Sequence, residues 1–200
     1  MEYGDAAREI AAYCRVLWER RLVSGTSGNL SVRLRNGDLL VTPSGRSLRD
    51  MRADELVRTD AGGAPREAGL RPSSEVALHA AAYAARPDAR AVVHAHPTFC
   101  VVWSRYGLPL PCDTVGARET LGAVAWTPYL PPGSPELAHA VAEQFATGTD
   151  AVLMASHGLS TVGSTLEHAF VLADAAEEAA RVAYFRKAHL AYFKKSFRRL

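Results

Sequence analysis

Two short apolar runs constrain this chain more than any other feature of its 200 residues. Ala91-Val92-Val93-His94-Ala95-His96 and Ala151-Val152-Leu153-Met154-Ala155-Ser156 are bounded by Pro97 and by His157-Gly158, and each reads as a buried strand. A strand turns its side chains alternately to opposite faces, so His94 and His96 share a face. Apolar residues at spacings of three and four (Ile10, Tyr13, Cys14, Leu17, Trp18) predict an amphipathic helix from about Asp5 to Leu22. Further helices are expected from Ser73 or Ser74 as N-cap to Arg86, from Thr98 to Tyr106, from Glu136 to Ala146, and from Leu166 to about Phe193. Leu30, Val32 and Leu34 alternate with polar residues, and Asn36-Gly37 predicts a hairpin into a strand over Asp38–Thr42. Short strands are expected at Glu55–Thr59 and Ala123–Trp126, with Leu159–Val162 continuing the Ala151 strand and the rest of the stretch from Tyr106 to Pro135 irregular. No repeat or linker interrupts the series, which predicts one α/β domain over residues 1–200 around a mostly antiparallel sheet.

Charge and composition remove several classes of function. Lys plus Arg number 23 against 21 Asp plus Glu, a balance of +2 that argues against a nucleic-acid-binding surface. No apolar run reaches the roughly 18 residues of a membrane span. Met1-Glu2-Tyr3-Gly4-Asp5 lacks the basic-then-apolar order of a signal peptide, so a cytoplasmic chain is expected. Cys14, Cys100 and Cys112 form no disulfide or metal-binding pattern and read as reduced thiols. Arg186, Lys187, Lys194, Lys195, Arg198 and Arg199 follow the last acid, Glu178, as a basic helical tail over about 186–200; a solvated helix end explains them without an anionic partner.

The chemistry sits in the histidines and in small polar loops. His94 and His96 have the spacing by which one strand gives two ligands to a divalent ion, and His157, ending another strand, is a candidate third. Histidines hydrogen-bonded separately in the core would show the same letters. Glu75 reads either as an acid favoured at a helix start or as a ligand or general base, and His79, one turn on, as a structural hydrogen-bond donor. Gly25-Thr26-Ser27-Gly28-Asn29, Pro43-Ser44-Gly45 and Ser73-Ser74 can each present N–H and hydroxyl groups to a phosphate. No nucleotide-binding glycine motif is present.

Taken in order, Thr26-Ser27-Gly28-Asn29-Leu30-Ser31, Thr42-Pro43-Ser44-Gly45, Pro72-Ser73-Ser74-Glu75, His94-Ala95-His96 and Ser156-His157-Gly158 closely resemble the class II aldolase/adducin family, nearest to its fuculose-phosphate-cleaving branch. The resemblance implies a three-layer α/β/α sandwich with a mixed, mostly antiparallel sheet, assembled as a homotetramer with active sites at subunit boundaries. It implies one zinc ion per subunit on His94, His96 and His157, with Glu75 as a fourth ligand that substrate displaces and that then carries a proton. Thr26, Gly28, Asn29, Ser44, Gly45, Ser73 and Ser74 would grip the phosphate of a phosphorylated sugar. The implied reaction splits a ketose 1-phosphate into dihydroxyacetone phosphate and an aldehyde. Glu75 separates the chain from the related ribulose-phosphate 4-epimerases, which carry aspartate there. The branch's proton-donating tyrosine is missing from Leu110-Pro111-Cys112-Asp113-Thr114, so Asp113, or Tyr129, Tyr184 or Tyr192, would take that duty. Methylthioribulose-1-phosphate dehydratases and sugar-acid phosphate decarboxylases share the scaffold. The metal-free adducin heads lack the histidines that this chain retains.

Overall fold

The computed structural model describes residues 2–197. Its elements are α1 (Tyr3–Glu19), β1 (Asn29–Arg33), β2 (Leu39–Val41), β3 (Val57–Thr59), α2 (Val76–Ala85), β4 (Ala91–Ala95), α3 (Thr98–Ser104), α4 (Val115–Leu121), β5 (Val124–Thr127), α5 (Pro135–Ala146), β6 (Ala151–Met154), β7 (Gly158–Gly163) and α6 (Leu166–Phe197). The seven strands form one sheet in the order β3-β2-β1-β4-β7-β6-β5. Every pairing is antiparallel except β5 with β6, so the sheet is mixed as expected.

The two apolar runs lie at the heart of this sheet because helices cover both of its faces. Leu30, Val93, Leu153 and Leu159 pack beneath α1, α3, α4 and α6 with Ile10, Leu17, Cys100, Leu121 and Leu172. Val92, Val152 and Val162 face the opposite way, beneath α2 and α5, with Leu78, Val141 and Phe145. Full burial of a side chain such as Leu153 or Phe145 contributes about 1.5–3 kcal/mol, which is what holds the three layers together. The α/β/α sandwich is thus present.

Three expectations need correction. Neither Ser73 nor Ser74 caps α2: the helix begins at Val76, Glu75 occupies the N-cap position, and no side chain caps it. The Ser73 N–H is bonded to the Thr42 carbonyl (3.0 Å), and a Pro43–Pro72 bridge ties the same two loops, which holds Ser73 out of the helix. The Ser73 hydroxyl accepts the Glu75 N–H instead (3.2 Å). Leu159–Val162 does not continue β6; the chain reverses at Ala155–His157 with Ser156 at φ 58°, and β7 returns antiparallel. The stretch before Pro135 contains α4, capped by the Thr114 hydroxyl on the Ala117 N–H (3.2 Å), and two 3-10 turns (Leu48–Asp50, Ala53–Glu55) precede β3. Of the basic tail, Arg198 and Arg199 lie outside the described residues, as do the side chains of Lys194 and Lys195. Among the described residues no helix is long and apolar enough to cross a membrane.

The α2 face of the sheet also carries a polar row, Asn29 and Ser31 of β1, against His79 and Tyr83 of α2. Burial pushes the His79 imidazole down to about 3, with the neighbouring His94 adding to the effect. Below the ordinary value of 6.5 the unfolded chain takes up a proton that folded His79 refuses, so stability is lost as pH falls from 6.5 toward 3, at up to about 1.4 kcal/mol per pH unit. Urea unfolding across that window should show the loss, and His79→Gln should lessen it by up to about 1.4 kcal/mol per pH unit; an unchanged slope in the variant would place the acid sensitivity elsewhere.

Candidate metal centre

The site forms where β4 and the β6–β7 turn end side by side. Antiparallel register sets Asn29 of β1 and Ser160 of β7 on either side of His94. His94 and Val92 share the α2 face of β4, which points the His94 ring at Glu75. His96 follows the strand, with its N–H on the Leu22 carbonyl (3.0 Å), and Pro97 caps α3. The Glu177 carboxylate of α6 accepts the N–H groups of Phe99 (3.0 Å) and Cys100 (2.9 Å), which fixes the chain immediately after His96. His157 rides on the β6–β7 turn, whose left-handed Ser156 gives its N–H to the buried Ser104 hydroxyl (3.0 Å). Gly158 lets that turn close on β4, since a Cβ there would lie 2.4 Å from the Ala95 carbonyl oxygen and 2.9 Å from the His96 ring.

These elements bring Glu75, His94, His96 and His157 together, with one donor atom from each within 4.8 Å of all the others. His94 Nε2 lies 2.9 Å from Glu75 Oε2 and 2.8 Å from His96 Nε2, and His157 Nε2 lies 3.3 Å from Glu75 Oε1. The rings meet edge on, with centroids 4.7, 4.9 and 5.0 Å apart. Four ligands at 2.0–2.1 Å around a tetrahedral ion would be separated by about 3.3 Å, and these three spacings lie within about half an ångström of that value. The bonding around the cluster also fits. His94 Nδ1 lies 3.0 Å from the Leu159 carbonyl, which can only accept, so Nδ1 carries a proton and Nε2 is the nitrogen turned to the cluster. Glu75 Oε1 is buried without a hydrogen-bond partner.

Electrostatics favour the ligand-competent forms. Burial, followed by the neighbouring His94, pushes His96 down to about 3 and His157 down to about 4, so both are neutral near pH 7. Burial alone would raise the Glu75 carboxyl, but His94, His157 and the Asn29 amide outweigh it and hold the group well below the usual carboxylate range.

The other expected residues divide. Asn29 is buried and its Nδ2 donates to Glu75 Oε2 (3.2 Å), so its side chain serves the cluster directly. Ser73 reaches Glu75 through the backbone bond already described. Gly28, at φ 79°, runs against β4, where a Cβ would lie 3.1 Å from the His94 carbonyl oxygen. Thr26, Ser44, Gly45 and Ser74 are exposed on adjoining loops, with Ser44 N–H on the Arg71 carbonyl (3.1 Å). Asp113 is not brought to the cluster: it is exposed and paired with Arg186 of α6. Tyr129 and Tyr192 are exposed, and Tyr184 packs on Phe99. The supports from Glu177, Ser104 and the Leu159 carbonyl carried no sequence signal, since each acts across a long chain separation.

Sequence and fold both match known proteins. Residues 8–184 match the class II aldolase and adducin N-terminal domain. The chain is 35% identical to the L-fuculose phosphate aldolase of Haemophilus influenzae over 88% of its own length and 81% of that protein's. It is 37% identical to the 5-methylthioribulose-1-phosphate/5-deoxyribulose-1-phosphate aldolase of Escherichia coli O45:K1, covering 88% and 82%. A solved L-fuculose 1-phosphate aldolase superposes with a TM-score of 0.85 at 31% identity, covering 94% of this chain and 89% of the other. The chain therefore belongs to the class II aldolase/adducin family. Within that family it is an enzyme of the aldehyde-lyase class.

Gly158→Ala should force the β6–β7 turn off β4 and pull His157 away from His96. Overpacking of this kind costs about 1–3 kcal/mol, and metal affinity should fall about tenfold or more. Urea unfolding and competition with a chromogenic chelator measure the two effects; wild-type metal affinity in the variant would contradict the role given to this contact.

Proposed function

We propose that the protein is a zinc-dependent aldolase that cleaves a ketose 1-phosphate reversibly to dihydroxyacetone phosphate and an aldehyde. The observation that carries this reading is the convergence of three imidazoles and one carboxylate at a strand end, beside loops rich in N–H and hydroxyl donors. Three nitrogens and a carboxylate oxygen are a donor set suited to zinc. Relatives named for L-fuculose phosphate and for 5-deoxyribulose 1-phosphate support a deoxy-ketose 1-phosphate as the substrate class.

A divalent ion held by His94, His96 and His157 would supply Lewis acidity to the substrate carbonyl and neighbouring hydroxyl as the carbon–carbon bond breaks. The protein's own groups do the rest. Glu75 would complete the ligand set of that ion. With substrate bound, the Glu75 carboxylate moves the proton at the carbon that has lost its bond partner, delivering it in cleavage and removing it in synthesis. Glu75 Oε1, with no hydrogen-bond partner, is the oxygen available for that proton. Thr26, Gly28, Asn29, Ser44, Gly45, Ser73 and Ser74 grip the phosphate through backbone N–H, amide and hydroxyl groups, so a near-neutral protein needs no basic surface to hold it. In cleavage the hydroxyl that becomes the aldehyde oxygen gives its proton to Asp113 or a tyrosine across a subunit boundary, and in synthesis it takes that proton back. A cytoplasmic homotetramer with no nucleic-acid or membrane partner fits this reading, and the exposed Phe185 and Leu190 of α6 give copies an apolar surface to bury.

Three measurements test the proposal. The purified protein should hold about one zinc per chain, and a chelator should abolish turnover until zinc, manganese or cobalt is restored; no bound metal and no rescue would sink the metal reading. Glu75→Gln should slow deuterium exchange at the dihydroxyacetone phosphate carbon about 10²–10⁴-fold by NMR in D2O, whereas wild-type exchange would put the base elsewhere. Incubation with fuculose, rhamnulose, 5-deoxyribulose and methylthioribulose 1-phosphates, followed by mass analysis, should yield dihydroxyacetone phosphate from at least one. Loss of water instead would replace aldol cleavage with dehydration.

A further inference from the structure

Asn29 brings only its amide to the cluster, and an amide can face two ways. With Nδ2 toward Glu75 it donates to the carboxylate; rotated by half a turn it would set its carbonyl oxygen against that charge. In the observed orientation Nδ2 is 3.2 Å from Glu75 Oε2 and Oδ1 is hydrogen-bonded to His79 Nε2. Because Oδ1 only accepts, His79 must carry its proton on Nε2. His79 Nδ1 is then an acceptor, and the Ser31 hydroxyl, 2.6 Å away, donates to it. The Tyr83 hydroxyl donates to the Ser31 carbonyl oxygen (2.9 Å) and lies 3.0 Å from Ser31 Oγ, at the far end of the same chain. All five side chains, Tyr83, Ser31, His79, Asn29 and Glu75, are buried, so no water can substitute for a member facing the wrong way.

We propose that His79 is a positioning residue: its Nε2–H fixes the Asn29 amide in the orientation that donates to Glu75, and so holds the Glu75 carboxylate in register with His94 and His157. The opposite tautomer, with the proton on Nδ1, would leave Nε2 as an acceptor, draw the Asn29 NH2 group to itself and turn oxygen toward Glu75. The bond donated by His79 therefore decides whether Glu75 meets a donor or a repelling oxygen. The inference rests on Glu75 being both metal ligand and proton carrier.

Two substitutions separate positioning from packing. The terminal amide of Gln reaches about as far as imidazole Nε2, whereas that of Asn reaches only as far as Nδ1. His79→Gln keeps a donor for Asn29 Oδ1; His79→Asn keeps only the Ser31 contact. Zinc affinity by chelator competition should fall about 10–100-fold in His79→Asn and stay within about threefold of wild type in His79→Gln. Deuterium exchange into dihydroxyacetone phosphate should follow the same order. Equal losses in the two variants, or full zinc affinity in a folded His79→Asn, would overturn the proposal. The wild-type protein gives a test that needs no variant: 15N NMR of zinc-loaded protein should show the His79 proton on Nε2, and a proton on Nδ1 would refute the chain. Zinc binding without turnover of any ketose 1-phosphate would remove the functional reading alone, and the two variants' zinc affinities would still decide the role of His79.

Discussion

A buried carboxylate facing three imidazoles, one fully and two largely out of water, is the interaction around which the rest of this structure is arranged. Glu75 loses almost all contact with water, a cost that would by itself drive it to protonate. The charge persists because His94, His157 and Asn29 address it from three directions. Convergence of His96 on the same point puts four donor atoms within 4.8 Å of one another. A metal held there would link its own affinity to folding.

The sheet meets that demand through register. Pairing of His94 with Asn29 on one side and Ser160 on the other sets a polar row across three strands, while the alternate residues Val93 and Leu159 pack into the core on the other face. The supports come from distant parts of the chain. Glu177 fixes the start of α3, Ser104 fixes the β6–β7 turn, and the loop carrying Ser73 is tied to the loop carrying Ser44. Placing the clustered side chains at strand ends, with helices behind them, leaves the loops of Thr26, Ser44 and Ser74 exposed beside them.

Much of this was legible in the chain because strand periodicity is local. His94 and His96 had to share a face if Ala91–His96 was a strand, and a terminus at His157-Gly158 put a third imidazole at a strand end. Glu75 was ambiguous: its place at a helix start suited an acid for dipole reasons alone, and only its 2.9 Å approach to His94 Nε2 separates the two readings. Ser73 misled because its capping chemistry competes with the loop pairing to Thr42, which is invisible in sequence. Leu159–Val162 was joined to the wrong strand direction because a left-handed Ser156 carries no glycine to mark the reversal. Asn29 was assigned to phosphate alone, since nothing in its motif points to an amide shared between His79 and Glu75.

The central claim is that these four side chains form one coordination sphere. X-ray absorption spectroscopy of the zinc-loaded protein tests it most directly. The account predicts three nitrogen scatterers at about 2.0–2.1 Å with imidazole outer shells and one oxygen at about 2.0–2.2 Å, the oxygen contribution changing in Glu75→Gln. A sulfur scatterer near 2.3 Å, or fewer than three imidazoles, would contradict it.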